Sequence, residues 1–340
     1  MANFQLVAGD KNEQYDPGVG RLLVPQGGTA KIQLWGGATR GSDSWPLTVD
    51  VNNRSVAIVR LVKSNLAAWT FDYDIEGVNV GNAMLEARDF GPMCPTESVQ
   101  RSQWFAKPVS AFIQLTVYPG YLQGTGSWAK ATYRSTNPRW RDVKWTNMAQ
   151  AGCGPTSLAI IMDYITSWDN AFTRTEEKCY APNVTPNETM NYTSRYGRAA
   201  DDKGQPAGTA GDTMMDHLGT QWPAYASEKL GSGRAAVDRA EGYLKSGEIL
   251  IFLCKNGDTY KYNAKSGIVT QHWDGHYMVL VGVDSVASGA KQTFFIEDPS
   301  GAKTKFISRA MLEKCGTIWR VYKQPTVVNL GSNAATVGGH

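Results

Sequence analysis

Gln150-Ala151-Gly152-Cys153-Gly154-Pro155-Thr156-Ser157 runs into Leu158-Ala159-Ile160-Ile161-Met162-Asp163-Tyr164 and sets a cysteine between two glycines where a helix begins. Pro155 suits the first helical turn, where its missing N–H is not needed. Leu158, Ile161, Met162 and Ile165 fall at i, i+3, i+4 and i+7, the spacing of one face of an amphipathic helix. A thiol at that helix start lies beside unpaired N–H groups and the positive end of the helix dipole. Both stabilise the thiolate, which is the nucleophilic form. The flanking glycines are expected to leave room for a carbonyl carbon to reach the sulfur. A lone cysteine is as readily a small core residue, so the assignment depends on its partners.

A thiol nucleophile needs a base, and the base needs a group to orient it. Gly275-His276 leads into Tyr277-Met278-Val279-Leu280-Val281-Gly282-Val283, a continuous apolar run that reads as a strand buried on both faces. A second strand is expected at Phe294-Phe295-Ile296, ending in Glu297-Asp298-Pro299. If the two pair antiparallel, the start of one lies beside the end of the other. His276 and Asp298 then share one sheet edge, an imidazole with a carboxylate to hold its tautomer. His272 is the rival base, less firmly placed because it precedes the strand by several residues. His217 reads as a surface or satisfied histidine.

Three ordered motifs carry a family resemblance: Gln-Ala-Gly-Cys-Gly-Pro-Thr-Ser-Leu-Ala at 150–159, Gly-His-Tyr-Met-Val-Leu-Val-Gly-Val-Asp at 275–284, and Phe-Ile-Glu-Asp-Pro-Ser-Gly at 295–301. Together they resemble the bacterial papain-like cysteine peptidases, nearest the branch that includes bacteriocin leader peptidases. Asn137-Pro138-Arg139-Trp140 is similar to the opening segment of that branch. The resemblance covers roughly residues 130–323. It implies that Cys153 is the nucleophile, His276 the general base and acid, and Asp298 the orienting carboxylate. The papain-like pattern also places a glutamine shortly upstream of the cysteine to donate to the oxyanion. Here Asn147 stands six residues before Cys153 and Gln150 three before it. Either amide fits that role, as does the Cys153 backbone N–H. The alternative is a chain that keeps the fold without the activity.

At 340 residues, the chain is long enough for two domains. A net charge of +3, with no basic run, argues against a nucleic-acid partner. No segment approaches the ~20 apolar residues of a membrane span. The opening Met1-Ala2-Asn3-Phe4-Gln5-Leu6-Val7 lacks the pattern of a signal peptide. The expectation is a protein synthesised as a soluble cytoplasmic chain, exported if at all by a route without a cleaved signal. Five cysteines, at 94, 153, 179, 254 and 315, show no C-x-x-C spacing, and no cofactor or metal motif is present. Cys254 ends an apolar run and reads as core, whereas Cys179 in a polar stretch is the better disulfide candidate. His340 is terminal and is left out of the site.

Residues 1–118 read as an all-β immunoglobulin-like sandwich. Seven strands are expected, at 21–24, 29–35, 47–51, 56–62, 67–74, 83–88 and 110–117, separated by turn formers. Asp72, Asp74 and Glu76 alternate with apolar residues, so they read as the wet face of a strand rather than calcium ligands. Residues 119–127 read as a linker, 128–323 as an α+β papain-like cysteine peptidase domain, and 324–340 as a flexible tail. The self-contained motifs predict that a fragment starting near Trp128 folds without the β-domain. The polar stretch from Ser167 to Gln221, with N-x-T triplets at Asn183, Asn187 and Asn191, reads as an insert walling a cleft. No glycosylation is assigned to those triplets. Ala235–Lys245 reads as a helix and Glu248–Cys254 as a strand.

These readings lead to a thiol hydrolase of an amide bond, working through a thioester on a peptide or protein. A second reading moves the substrate to peptidoglycan. The pairing with an immunoglobulin-like module, by architecture and resemblance alone, fits an exported bacterial toxin or effector delivered by type VI secretion. A secretion carrier and an immunity protein would then be its partners. A third reading is non-enzymatic, with a binding β-domain beside an inactive scaffold.

Overall fold

Short strands with alternating or apolar runs shape the N-terminal region. The computed structural model describes residues 2–6, 14–16, 20–36, 47–65, 70–89, 109–136, 147–171, 184–200, 206–263, 267–301 and 305–325. Nine strands come first: β1 (Ala2–Leu6), β2 (Gln14–Asp16), β3 (Arg21–Pro25), β4 (Thr29–Gly36), β5 (Leu47–Val51), β6 (Ala57–Asn65), β7 (Thr70–Gly77), β8 (Gly81–Asp89) and β9 (Val109–Tyr118). In β7, Phe71, Tyr73 and Ile75 are buried and the acids between them are not. Asp72 accepts a hydrogen bond from Gln33 at 2.6 Å and Glu76 pairs with Arg60 at 2.6 Å, so both have protein partners. The strands form two sheets, ordered β1-β4-β7-β6 and β2-β3-β9-β8-β5. Both sheets contribute to one apolar core, with Ile32 and Ile75 from the first and Leu85 and Leu115 from the second. All seven expected strands are present, and β1 and β2 are additional to them.

The second region opens with helices α1 (Met148–Ala151), α2 (Cys153–Ala171) and α3 (Pro186–Tyr196). The hairpin of β10 (Arg198–Ala200) and β11 (Pro206–Thr209) follows, then α4 (Gly211–Asp216), α5 (Leu218–Gln221), β12 (Tyr225–Gly231) and α6 (Arg234–Lys245). The remaining elements are β13 (Leu250–Cys254), β14 (Gly257–Asn263), β15 (Gly267–Trp273), β16 (His276–Val283), β17 (Thr293–Glu297), β18 (Phe306–Ser308), α7 (Arg309–Cys315) and β19 (Gly316–Lys323). Eight of these strands make one sheet, ordered β12-β19-β13-β16-β17-β18-β14-β15. Every residue of β16 is buried. Tyr277, Val279 and Val281 face the core that holds α2, while Met278 and Leu280 face the core that holds α6 and α7. Two covered faces explain the unbroken apolar run.

Three expectations change. First, α2 is a central helix rather than a one-faced amphipathic one, since every residue from Gly154 to Tyr164 is buried. Its second flank is covered by α3, whose Thr189 hydroxyl donates to the Pro155 carbonyl at 2.8 Å. Second, the polar insert carries regular structure. Thr185-Pro186-Asn187-Glu188 forms a capping box that starts α3, with proline in its first turn. Third, the N-terminal region and the linker pack into the core of the second region. Leu23, Val80 and Tyr118 belong to the same apolar cluster as α2 and β16. The Tyr121 hydroxyl donates to Asp163 in α2 at 2.8 Å, and Arg21 donates to the Leu244 carbonyl at 3.0 Å. A cut at Trp128 therefore exposes part of this shared surface.

Among the described residues no helix is long and apolar enough to cross a membrane. Asn137–Trp140, Cys94, Cys179, Asn183, His340 and most of the 324–340 tail lie outside the described residues.

Candidate active site

Cys153 is the first residue of α2. Asn147 caps α1 just upstream, its side-chain oxygen accepting from the Gln150 N–H at 3.0 Å. The two glycines have a structural reason that the sequence reading missed. A Cβ at Gly152 would sit 2.4 Å from the Met148 carbonyl oxygen, and one at Gly154 would sit 2.7 Å from the Thr209 side chain. They allow close packing around the thiol rather than only substrate approach. Cys153 itself is partly exposed. It lines a cleft of about 510 Å³ with the 208–213 segment, Lys229, Lys255, Tyr277 and Trp319. That volume is in the range of ligand pockets.

His276 begins β16 and is 7% exposed. Its Nε2 lies 2.7 Å from Asp298 Oδ1. Its ring stacks on Trp273 at 3.9 Å between centroids, and the Trp273 indole N–H donates to Thr259 at 2.9 Å. The ring is therefore fixed in both plane and rotation. Asp298 follows β17 and is 4% exposed. Val279 pairs with Glu297 in the antiparallel β16–β17 ladder, so Asp298 comes level with Met278, two residues along from His276. Asp-Pro-Ser-Gly then turns sharply. The Ser300 N–H donates to Asp298 Oδ1 at 2.8 Å and the Gly301 N–H to the Asp298 carbonyl at 3.0 Å. Asp at the first position and Pro at the second suit such a turn.

With Nε2 engaged by Asp298, Nδ1 is left for the thiol. Burial raises the Cys153 thiol, but the hydrogen bond and charge of His276 outweigh it. Backbone N–H groups of Tyr277 and Gly154 add to them, and the net direction is down. Burial likewise pulls His276 down, yet its hydrogen bonds to Asp298 and Cys153 raise it to about 9. Both shifts favour the thiolate–imidazolium form over the neutral pair.

His272, the rival base, ends up elsewhere. It sits in β15 with its Nδ1 2.9 Å from Asp258 Oδ1, and its side chain is 61% exposed. His217 is near the surface, stacked on Tyr196. Of the two oxyanion candidates, Asn147 has its oxygen committed to the helix cap and Gln150 is exposed.

Sequence reasoning missed the supports of the site. The Tyr118 hydroxyl, at the end of β9, donates to Glu297 at 3.2 Å, next in the chain to Asp298. Burial pushes that Glu297 carboxyl up to about 7. The Gln123 N–H donates to the Pro299 carbonyl at 2.7 Å and its side-chain amide to the Ala149 carbonyl at 2.9 Å. One linker residue thus ties the aspartate turn to the helix before the cysteine. Below the thiol, the Tyr277 hydroxyl donates to the Thr209 carbonyl at 2.9 Å, and Tyr133 bonds the Thr209 hydroxyl at 2.8 Å. The buried Arg198 lies over the Tyr133 ring. No local sequence signal marks these contacts, because each joins residues far apart in the chain. Among the described residues no cluster of three or more His, Cys, Asp or Glu side chains could hold a metal.

A half-exposed thiol at a helix start, facing a histidine on an antiparallel sheet, places this region among the cysteine-peptidase-like domains. The chain belongs to the Peptidase_C39 like family, whose model matches residues 140–327. No curated protein matches it. Among solved structures, domains 4 and 5 of the S-layer protein SbsC align at 14% identity and a TM-score of 0.21, over 34% of this chain and 46% of that one. SbsC domains 1–6 align at 9% identity, a TM-score of 0.21, and 81% and 24% coverage. The chain thus spans less than half the length of these S-layer chains, and no element is placed by such similarity.

Proposed function

We propose that this protein is a cysteine-dependent hydrolase that cleaves an amide bond in a peptide or protein. The observation that carries the reading is the hydrogen-bonded series Cys153–His276–Asp298, closed at the far end by Ser300. The Cys153 thiolate attacks the carbonyl carbon and forms a tetrahedral intermediate. His276 protonates the leaving amine as the C–N bond breaks and the thioester forms. It then takes a proton from water, which attacks the thioester and restores the thiol. Asp298 holds the ring and stays ionised throughout. The backbone N–H groups at the thiol supply one side of the oxyanion site. Gln150, whose side chain is exposed, and Asn147, whose cap engages only its oxygen and leaves its NH2 to donate, are both candidate second donors.

We read residues 128–323 as the peptidase domain, nearest the bacteriocin leader peptidase branch, and 1–118 as immunoglobulin-like. The first strand and the two-sheet order support the latter. With β1, β4, β6 and β7 as one sheet and β5, β8 and β9 in the other, the strands follow the A-B-E-D and C-F-G arrangement of such sandwiches. An exported effector role is the biological setting we favour.

The test compares wild type with Cys153→Ala on a denatured-protein library and, separately, on purified sacculi. Cysteine-dependent new protein termini support a peptidase. Release of muropeptides moves the substrate to the cell wall. Substoichiometric iodoacetamide at pH 6 should label Cys153 ahead of the other cysteines, and equal labelling of all would sink the nucleophile assignment.

A further inference from the structure

Two cysteines apart from the Cys153 site face each other in the opposite core. Cys254 closes β13 and Cys315 closes α7, 61 residues later. Their sulfurs are 3.2 Å apart, and both side chains are buried, at 0% and 7% exposure. The backbone fixes the approach from two sides. Cys254 pairs in register with Gly316, the residue after Cys315, and the Lys255 N–H donates to the Cys315 carbonyl at 3.1 Å. Gly257 clears the space. A Cβ there would stand 2.3 Å from the Cys315 sulfur and 2.7 Å from that of Cys254, so any side chain would collide with the pair. On its other edge Cys254 pairs in register with His276.

We propose that Cys254 and Cys315 form a disulfide in the mature protein, stapling the strand beside His276 to the corner between α7 and β19. Closing the bond moves the sulfurs about 1 Å nearer. The oxidant is a disulfide of the surrounding compartment, such as oxidised glutathione or a protein dithiol–disulfide carrier. Cys315, the more exposed of the two, attacks one donor sulfur as its thiolate. That step breaks the donor S–S bond, forms a mixed disulfide and releases one donor thiolate. Cys254 then loses its proton and attacks the Cys315 sulfur, forming the Cys254–Cys315 bond and releasing the second donor thiolate. Two cysteine thiols are oxidised, one donor disulfide is reduced to two thiols, and the two protons end on those thiols. The hydrogen bond from Cys254 holds the Cys315 thiol low, which favours this order. Disulfides persist in oxidising compartments, so the staple suits a protein that works outside the reducing cytoplasm.

The experiment uses the full chain, incubated with oxidised glutathione during refolding and, in parallel, kept reduced. Free thiols are blocked with iodoacetamide after unfolding, and the unreduced digest is mapped by mass spectrometry. The expected result is a Cys254–Cys315 cross-linked peptide that vanishes on reduction. The oxidised protein should melt roughly 5–10 °C above the reduced one. That difference should be absent in the double variant Cys254→Ala/Cys315→Ala. Separate alkylation of both cysteines after oxidation would overturn the proposal, as would a link from either one to Cys94 or Cys179. A linked peptide with no change in melting would remove the stapling role.

Discussion

Two histidines four residues apart, His272 and His276, each pair with an aspartate, and only one of the pairs lies beside the Cys153 thiol. His272 lies 2.9 Å from Asp258, and His276 lies 2.7 Å from Asp298. Distance does not separate them. Surroundings do: the His272 and Asp258 side chains are 61% and 33% exposed, and those of His276 and Asp298 are 8% and 1% exposed. An exposed pair is screened by water and contributes little. The buried pair acts at full strength and has a thiol as third member. The ring nitrogens differ too, since Asp258 takes Nδ1 and Asp298 takes Nε2. A histidine becomes a base through the groups on both of its nitrogens and the exclusion of water, not through one carboxylate contact.

The comparison can be broken most directly by exchange of roles. His276→Ala should lower kcat/KM at least about 10³-fold with the melting transition preserved, because proton transfer to and from the reacting groups is lost. A dead His272→Ala beside an active His276→Ala would reverse the assignment.

Asp298→Asn should cost about 100-fold less than loss of His276. It also tests the sign of the electrostatics. In the proposed mechanism the imidazolium is the working form, and the His276 pKa, raised to about 9, keeps it charged below that pH. Activity should therefore fall on the alkaline side near pH 9 and, on the acid side, below the lowered value of the Cys153 thiol. Removing the Asp298 charge should move the alkaline limb to lower pH. An unmoved limb would take Asp298 out of the site.

Tyr118→Ala should destabilise the fold by about 3–5 kcal/mol, as expected for a fully buried aromatic side chain. Tyr118→Phe should cost about 1–2 kcal/mol by leaving Glu297 without its hydroxyl partner. Urea melts of both variants check this, and native stability in Tyr118→Ala would mean that the β-domain is detachable.

The smallest effect is expected at His272. His272→Ala should leave kcat/KM within about twofold and stability within about 0.5 kcal/mol. A larger loss would mean that the β14–β15 hairpin contributes to substrate binding.

Local chemistry was legible in the sequence. The glycine-flanked cysteine with Pro155 marked a helix start, Asp-Pro-Ser-Gly marked a turn, and the run after His276 marked a buried strand. Alternating or apolar runs marked β3 to β9: alternation where one face is covered, as in β7, and a continuous run in β3, whose Leu22 and Val24 face one core and Leu23 the other. β1 was readable from the alternation of Ala2, Phe4 and Leu6 with Asn3 and Gln5, whereas the three residues of β2 are too few to show a pattern. The Thr185–Glu188 capping box was readable from spacing and was passed over as part of a polar loop. In the candidate site, motif order was enough to bring Cys153, His276 and Asp298 forward. What the tertiary structure alone decided was which histidine is dry, that Asn147 caps α1 through its oxygen, that Gly154 makes room for Thr209, and that Tyr118 and Gln123 grip the Asp298 turn from the other region. These depend on burial and on contacts between residues far apart in the chain. Periodicity and spacing report only neighbours along the backbone, whereas desolvation and long-range hydrogen bonds arise only once the chain has closed on itself.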